Sequence, residues 1–173
     1  MSRLPPLDHA ALDPAQRKVA DTIVNGPRGR LSSLFEVWLR NPELCDRVRQ
    51  LGDYARWDAS APRDLAELAV LVAAAHFEAW PEFDAHARFA EAGGISADVI
   101  ATVREGGRPE FDDARRGAVH DLVVEYFATN RVAEPTYATA LAAIGEAALV
   151  DVVAIAGYYA MVCMTVNVFE ITG

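Results

Sequence analysis

The chain has 173 residues, 52% of them apolar, and 16 Lys and Arg stand against 25 Asp and Glu for a net charge of −9. That length and apolar fraction suit one domain with a proper core and argue against a disordered chain. No run of basic residues supplies the positive face that displaces counterions from a nucleic acid, so nucleic-acid binding is set aside as well.

Punctuation by Pro and Gly divides the chain into helices. Met1 to Leu12 contains no basic region leading into an apolar stretch, so no signal peptide is expected. Asp13-Pro14 joins an N-cap residue to a proline at the first helical position and opens a helix that should stop at Gly26-Pro27. The loop Gly26-Pro27-Arg28-Gly29-Arg30 carries two arginines. A short helix with Leu34, Phe35, Trp38 and Leu39 follows, and Asn41-Pro42 restarts the chain as a helix carrying Leu44, Val48, Leu51 and Tyr54. After a turn from Asp58 to Pro62, the stretch from Arg63 to about Trp80 is apolar nearly all round, as a central helix is. Glu67, His76 and Glu78 are its few polar members, and His76 is expected to be a satisfied core histidine.

Pro81 opens a new helix after a kink or break, and Gly93-Gly94 ends it. Ser96 caps the next, which ends at Gly106-Gly107. Asp112 starts an amphipathic helix to about Asn130, Glu134-Pro135 starts another that ends near Gly145, and a last helix runs from about Glu146 to Phe169. No segment sustains period-two alternation. The expectation is an all-α single domain over 1–173 with eight or nine helices.

Val152 to Phe169 is free of charge over 18 residues, the short end for a membrane span. Tyr158, Tyr159, Thr165 and Asn167 dilute it, and no basic anchor flanks it. A helix buried by its own core or by a subunit contact is expected instead, with no membrane partner. Cys45 and Cys163 form no Cys-x-x-Cys pair, which suits two reduced, packed thiols in a cytoplasmic protein without a zinc or redox framework.

The residues with chemical potential are Glu67, Glu82 and His86. Glu82 and His86 are four apart and share one helical face. A carboxylate beside an imidazole fixes the ring and raises its pKa, and such a pair can hold and move a proton near neutral pH. Glu67, on the apolar helix, needs a partner, and His86 can reach it across the Pro81 turn. Arg28 and Arg30 could bind a substrate carboxylate, Trp80 and Phe83 could wall a pocket, and Asn167 needs a hydrogen-bond partner. It lies on a stripe with Tyr159 and Cys163, and is read as structural first and as a substrate contact second. No metal or cofactor site is expected.

Glu67-Leu68-Ala69-Val70-Leu71, Pro81-Glu82-Phe83-Asp84-Ala85-His86 and Ala92-Gly93-Gly94-Ile95 together resemble the core of the carboxymuconolactone decarboxylase family. The Gly-Pro-Arg-Gly loop, Asn41-Pro42-Glu43-Leu44, Gly157-Tyr158-Tyr159 and Asn167-Val168-Phe169 extend the similarity over most of the chain. Pro81 stands where that family usually has tyrosine, and Phe83 where it has tryptophan. The sibling alkylhydroperoxidase D-like proteins are similar in the same region. There a Glu and a His are spaced like Glu67 and His86, but their two cysteine positions fall on Ala79 and Glu82, which can neither attack nor resolve a peroxide. The resemblance implies a helical bundle, a homo-oligomer built of trimers (trimer or hexamer), and a cofactor-independent lyase or isomerase. Its substrate would be a small carboxylated lactone-like or oxo acid, with Glu67, Glu82 and His86 in the proton chemistry. The competing expectation is a non-catalytic oligomeric binding or assembly protein that keeps the fold.

Overall fold

A helix with no polar side has to be enclosed by others, and the segment Arg63–His76 is such a helix. The computed structural model of the chain describes residues 2–172. Among them are eight α-helices and no strand: α1 (Pro14–Asn25), α2 (Ser33–Trp38), α3 (Pro42–Asp53), α4 (Arg63–His76), α5 (Trp80–Ala92), α6 (Ala97–Arg104), α7 (Ala114–Thr129) and α8 (Glu134–Phe169). Met1 and Gly173, the two ends of the expected domain, lie outside the described residues. The fold is all-α, in one domain. Helix α4 is its axis, packed against α5, α7 and α8, and Leu65, Leu68 and Leu71 on it expose nothing. Each fully buried leucine contributes about 1.5–3 kcal/mol relative to an exposed one.

The helix starts follow local chemistry. Asp13 accepts from the backbone N–H groups of Ala15 and Gln16, both at 2.8 Å, and the Gln16 side chain returns to the Asp13 N–H. Asn41, Ser96 and Asp113 cap α3, α6 and α7 in the same way. Helix α4 ends four residues before the expected Trp80. Continuing through Pro81 would lose a backbone hydrogen bond and drive the proline ring into the preceding turn. The chain instead reverses at Glu78, which takes a left-handed φ of 52°. His76 therefore sits in the last turn of α4, exposed and stacked on Phe127 at 4.9 Å, and is not the core histidine expected. The expected boundary at Gly145 appears as a break within α8, where Gly145 adopts φ 77° and ψ 167°, a conformation open to glycine alone.

Helix α8 is long and apolar enough by length and composition to cross a membrane between Glu134 and Val168, and 39% of its most apolar window is buried in the fold. Its one deeply placed acid, Asp151, fastens the segment between α3 and α4. That segment opens with a π-helical turn, Tyr54–Asp58, closed by the Ala59 N–H on the Tyr54 carbonyl. Asp151 accepts from the Tyr54 hydroxyl, the Ser60 N–H and the Ser60 hydroxyl, each at 2.6 Å, and from the Ala61 N–H at 3.2 Å. Burial alone would raise the Asp151 pKa, but these donors outweigh it and hold the carboxyl below its usual range.

A depressed carboxyl pKa stabilises the fold above the unfolded-state value and loses that contribution as pH falls through the folded one. Asp151→Asn is expected to cost about 2 kcal/mol at neutral pH, because an amide turns a donor toward donors. Thermal melts over a pH series should show the gap to wild type closing in acid. Equal stability at neutral pH would refute the clamp.

Candidate functional site

Glu67 leaves the apolar face of α4 with 5% of its side chain exposed, so its charge has to be met inside the protein. Arg63, one turn earlier, donates to one carboxylate oxygen at 3.0 Å. His86 Nδ1 lies 2.6 Å from the other. His86 comes from α5, and its Nε2 faces Glu82 Oε1 at 3.1 Å, one turn back on the same helix. Both ring nitrogens thus point at carboxylates. The ring itself is 3% exposed, covered at its edge by Tyr159 at 4.8 Å and Phe89 at 5.6 Å. Burial pulls the His86 pKa down, but the hydrogen bonds and charges of Glu67 and Glu82 outweigh it and raise it above the usual histidine value. The arrangement favours the protonated ring, with each ring N–H directed at a glutamate oxygen.

Glu82 is more open, at 18%, and it leads out of the core. Glu82 and His86 line a cavity of about 700 Å³ between the loop after α1, the π-helical turn, α5 and α8. Its charge runs against that of the chain. Arg28, Arg30, Arg56 and Arg88 line it, opposed by Glu36 and Glu82. Tyr158 and Tyr159 form the α8 wall. Desolvation pushes the Tyr158 hydroxyl up to about 12 and Tyr159 well above its usual value, so both stay neutral. Arg28 donates from Nε to Asp53 at 2.8 Å and stacks over Phe35 and Trp57. Arg56 lies over Trp57 and Phe89. Arg28 Nη2 and Arg56 Nε are buried without an acceptor among the described residues. Such orphan donors typically cost about 1–3 kcal/mol each, and more when charged.

Glu82, His86 and the arginines of the Gly26–Arg30 loop therefore line one cavity, with Glu67 behind His86 and off the cavity wall, and three other expected contacts do not reach it. Trp80 and Phe83 lie on the face of α5 turned away from the cavity. Phe83 is 1% exposed in the core, and both rings carry the Arg104 guanidinium, at 4.8 and 5.1 Å. Glu82, Ala85, His86 and Phe89 occupy the cavity side of the same helix. Asn167 is exposed at the end of α8, where its amide donates to the Phe77 carbonyl at 2.6 Å and closes the C-terminus of α4. Its role there is structural, and the stripe it forms with Tyr159 and Cys163 is not one pocket face. The cavity face of α8 is Tyr158, Tyr159, Val162 and Val166.

Nothing local in the sequence marks Arg56 as a cavity residue, and Asp151 stands out there only as a flanking charge. Cys45 and Cys163 are buried, free and raised by burial to about 11 and about 12. No group of three His, Cys, Asp or Glu side chains suited to a metal ion occurs among the described residues.

A raised histidine pKa stabilises the fold below the unfolded value, about 6.5, and that contribution fades as pH rises through the folded value. Nitrogen-detected NMR of the His86 ring should show an imidazolium persisting above the ordinary midpoint. Glu67→Gln should lower that midpoint and cost about 3 kcal/mol at or below neutral pH, because it breaks a buried charge pair. An ordinary midpoint in the wild-type protein would mean that the carboxylates do not hold the proton. Compared with protein-family models and with curated proteins, the chain matches none.

Proposed function

We propose that this chain is a soluble cytoplasmic, cofactor-independent lyase or isomerase of the carboxymuconolactone decarboxylase type, acting on a small carboxylated lactone-like or oxo acid. The supporting observation is the buried chain Glu67–His86–Glu82, which ends on an arginine-lined cavity. Glu82 is the proton-transfer group that a ligand can reach, and His86 is the proton store behind it. Glu67 is a positioning residue that fixes the ring, with Arg63 engaging its second oxygen. In an isomerisation, the Glu82 carboxylate takes a proton from the carbon beside a carbonyl, and the pair returns it further along the conjugated system. In a decarboxylation, the carbon–carboxylate bond breaks, carbon dioxide leaves, and the electron pair left as an enolate takes a proton from the Glu82–His86 pair. Apolar walls strengthen each charge interaction that steadies such an anion.

The thiols give no support to peroxide chemistry. With pKa values near 11 and 12, they hold almost no thiolate at neutral pH. The resemblance also implies a homo-oligomer, and α8 offers a surface for one. Val150, Val153, Met164 and Val168 are 50–68% exposed along one side.

Solvent deuterium incorporation into a panel of small oxo and unsaturated acids, followed by NMR, tests the chemistry directly. His86→Asn should abolish exchange, Glu82→Gln should lower it about a hundredfold or more, and Glu67→Gln should cost less. Replacing both cysteines by alanine should leave it intact. If Glu82→Gln exchanges as fast as wild type, the acid–base reading fails and the non-catalytic alternative takes its place. For assembly, light scattering should show a species larger than the monomer at micromolar concentration, which Val153→Glu breaks down. A wild-type monomer, or a particle that forms only in detergent, would contradict it.

A further inference from the structure

Tyr159 carries a hydroxyl that the fold leaves unused. The residue is 3% exposed, and a phenol buried to that degree normally finds a partner. Tyr54 does so, donating to Asp151. The Tyr159 hydroxyl bonds to no described residue, yet the side-chain atoms sealed from solvent without a partner are Arg28 Nη2 and Arg56 Nε alone among the described residues. The hydroxyl therefore keeps contact with open space, and the open space that Tyr159 lines is the cavity. Its ring is held there by edge-on packing against His86 at 4.8 Å and Tyr158 at 5.1 Å. Of the two rings that cover His86, Phe89 has no polar atom to offer. Other donors near the proton pair are committed elsewhere. Both His86 nitrogens face glutamates, and the two sealed arginine nitrogens reach no ligand. Arg30 and Arg88 line the cavity from exposed positions, where a long side chain is not fixed in place.

From this placement we infer that the Tyr159 hydroxyl is a further catalytic group, which donates a hydrogen bond to the oxyanion formed when the substrate becomes an enolate. The inference rests on the acid–base reading of the cavity, which supplies a proton acceptor but no donor for the substrate oxygen. When Glu82 takes the proton beside a carbonyl, the C–H electron pair becomes the enolate double bond and the carbonyl π pair moves onto oxygen. In a decarboxylation, the pair from the broken carbon–carboxylate bond follows the same course. The Tyr159 O–H meets the new charge and keeps its own proton. Return of the proton from Glu82 to carbon sends the pair back and restores the carbonyl. Burial, and then the charge of Glu82, keep the phenol un-ionised, so it stays a donor throughout. A donor fixed on a rigid helix beside the proton pair needs no rearrangement as charge develops, and it acts on the transition state more than on the neutral carbonyl.

Tyr159→Phe in the full chain tests this, since it removes one oxygen and keeps the ring that covers His86. A hydroxyl without a protein partner adds nothing to the fold, so the variant should melt at or above the wild-type temperature. Deuterium exchange should slow about a hundredfold in kcat with little change in KM, and the His86 ring should titrate at its wild-type midpoint. A second measurement needs no turnover. The yellow 4-nitrophenolate is a flat, conjugated oxyanion, and Glu82→Gln imitates the glutamate after it has taken the proton. Glu82→Gln should bind 4-nitrophenolate saturably and 4-nitroanisole much more weakly, and adding Tyr159→Phe should weaken phenolate binding at least about tenfold. A lower melting temperature or loss of folding in Tyr159→Phe would give the hydroxyl a structural role and overturn the inference. A shifted His86 midpoint, unchanged kcat, no phenolate binding, anisole binding as tight as phenolate, or phenolate affinity unaffected by Tyr159→Phe would each overturn it too. If phenolate binding follows the expectation but neither wild type nor any variant exchanges deuterium, the oxyanion donor stands and the acid–base reading alone fails.

Discussion

The structure turns on one carboxylate in an apolar helix. Helix α4 has no polar side, and Glu67 sits where an unpaired charge would be untenable. Arg63 meets one oxygen from the same helix, and only a second element can meet the other. His86 fills that role, which brings α5 back along α4 and places the reversal at Phe77–Ala79. The contact that makes the core electrically acceptable is also the contact that orients the imidazole. Glu82, one turn before His86, then inherits a position at the mouth of the cavity.

The buried charges fall into two groups of opposite character. The carboxylates are fully met: Glu67 by Arg63 and His86, and Asp151 by four donors. The arginines of the cavity are not, since Arg28 and Arg56 each keep a buried donor without an acceptor. In a chain with nine more negative than positive charges, acceptors for two arginines are not scarce. Their absence here sets these two arginines apart from the other buried charges among the described residues.

Most of the helical order is legible in the sequence because it depends on neighbours along the chain: Asp13-Pro14, Asn41-Pro42, Pro81 and Gly145 punctuate the fold where they punctuate the chain. The meeting of Glu67, Glu82 and His86 is legible for a related reason. Two of them share a helix face, and the third lies on a helix that cannot leave it unpaired. Trp80 and Phe83 are misplaced by a reading of the sequence because composition alone does not reveal which side of α5 turns to the cavity. Asn167 and Arg56 depend on partners distant in sequence. Asn167 finds the Phe77 carbonyl 90 residues away, and Arg56 is aimed by a turn that Asp151 holds from across the fold, through a tyrosine 97 residues away. Local pattern carries no information about either.

The π-helical turn at Tyr54–Asp58 holds one residue more than an ordinary helical turn would. A single-codon deletion there would relax it toward α-helix and swing Arg56 through roughly a third of a revolution, away from the cavity, with both neighbouring helices still able to form. Substitutions at its individual positions would change side chains while leaving that aim in place. What a lineage must preserve in this segment is therefore its length before its letters. Among related chains, a gap at this turn would be a better sign of a changed ligand than any exchange of amino acids within it.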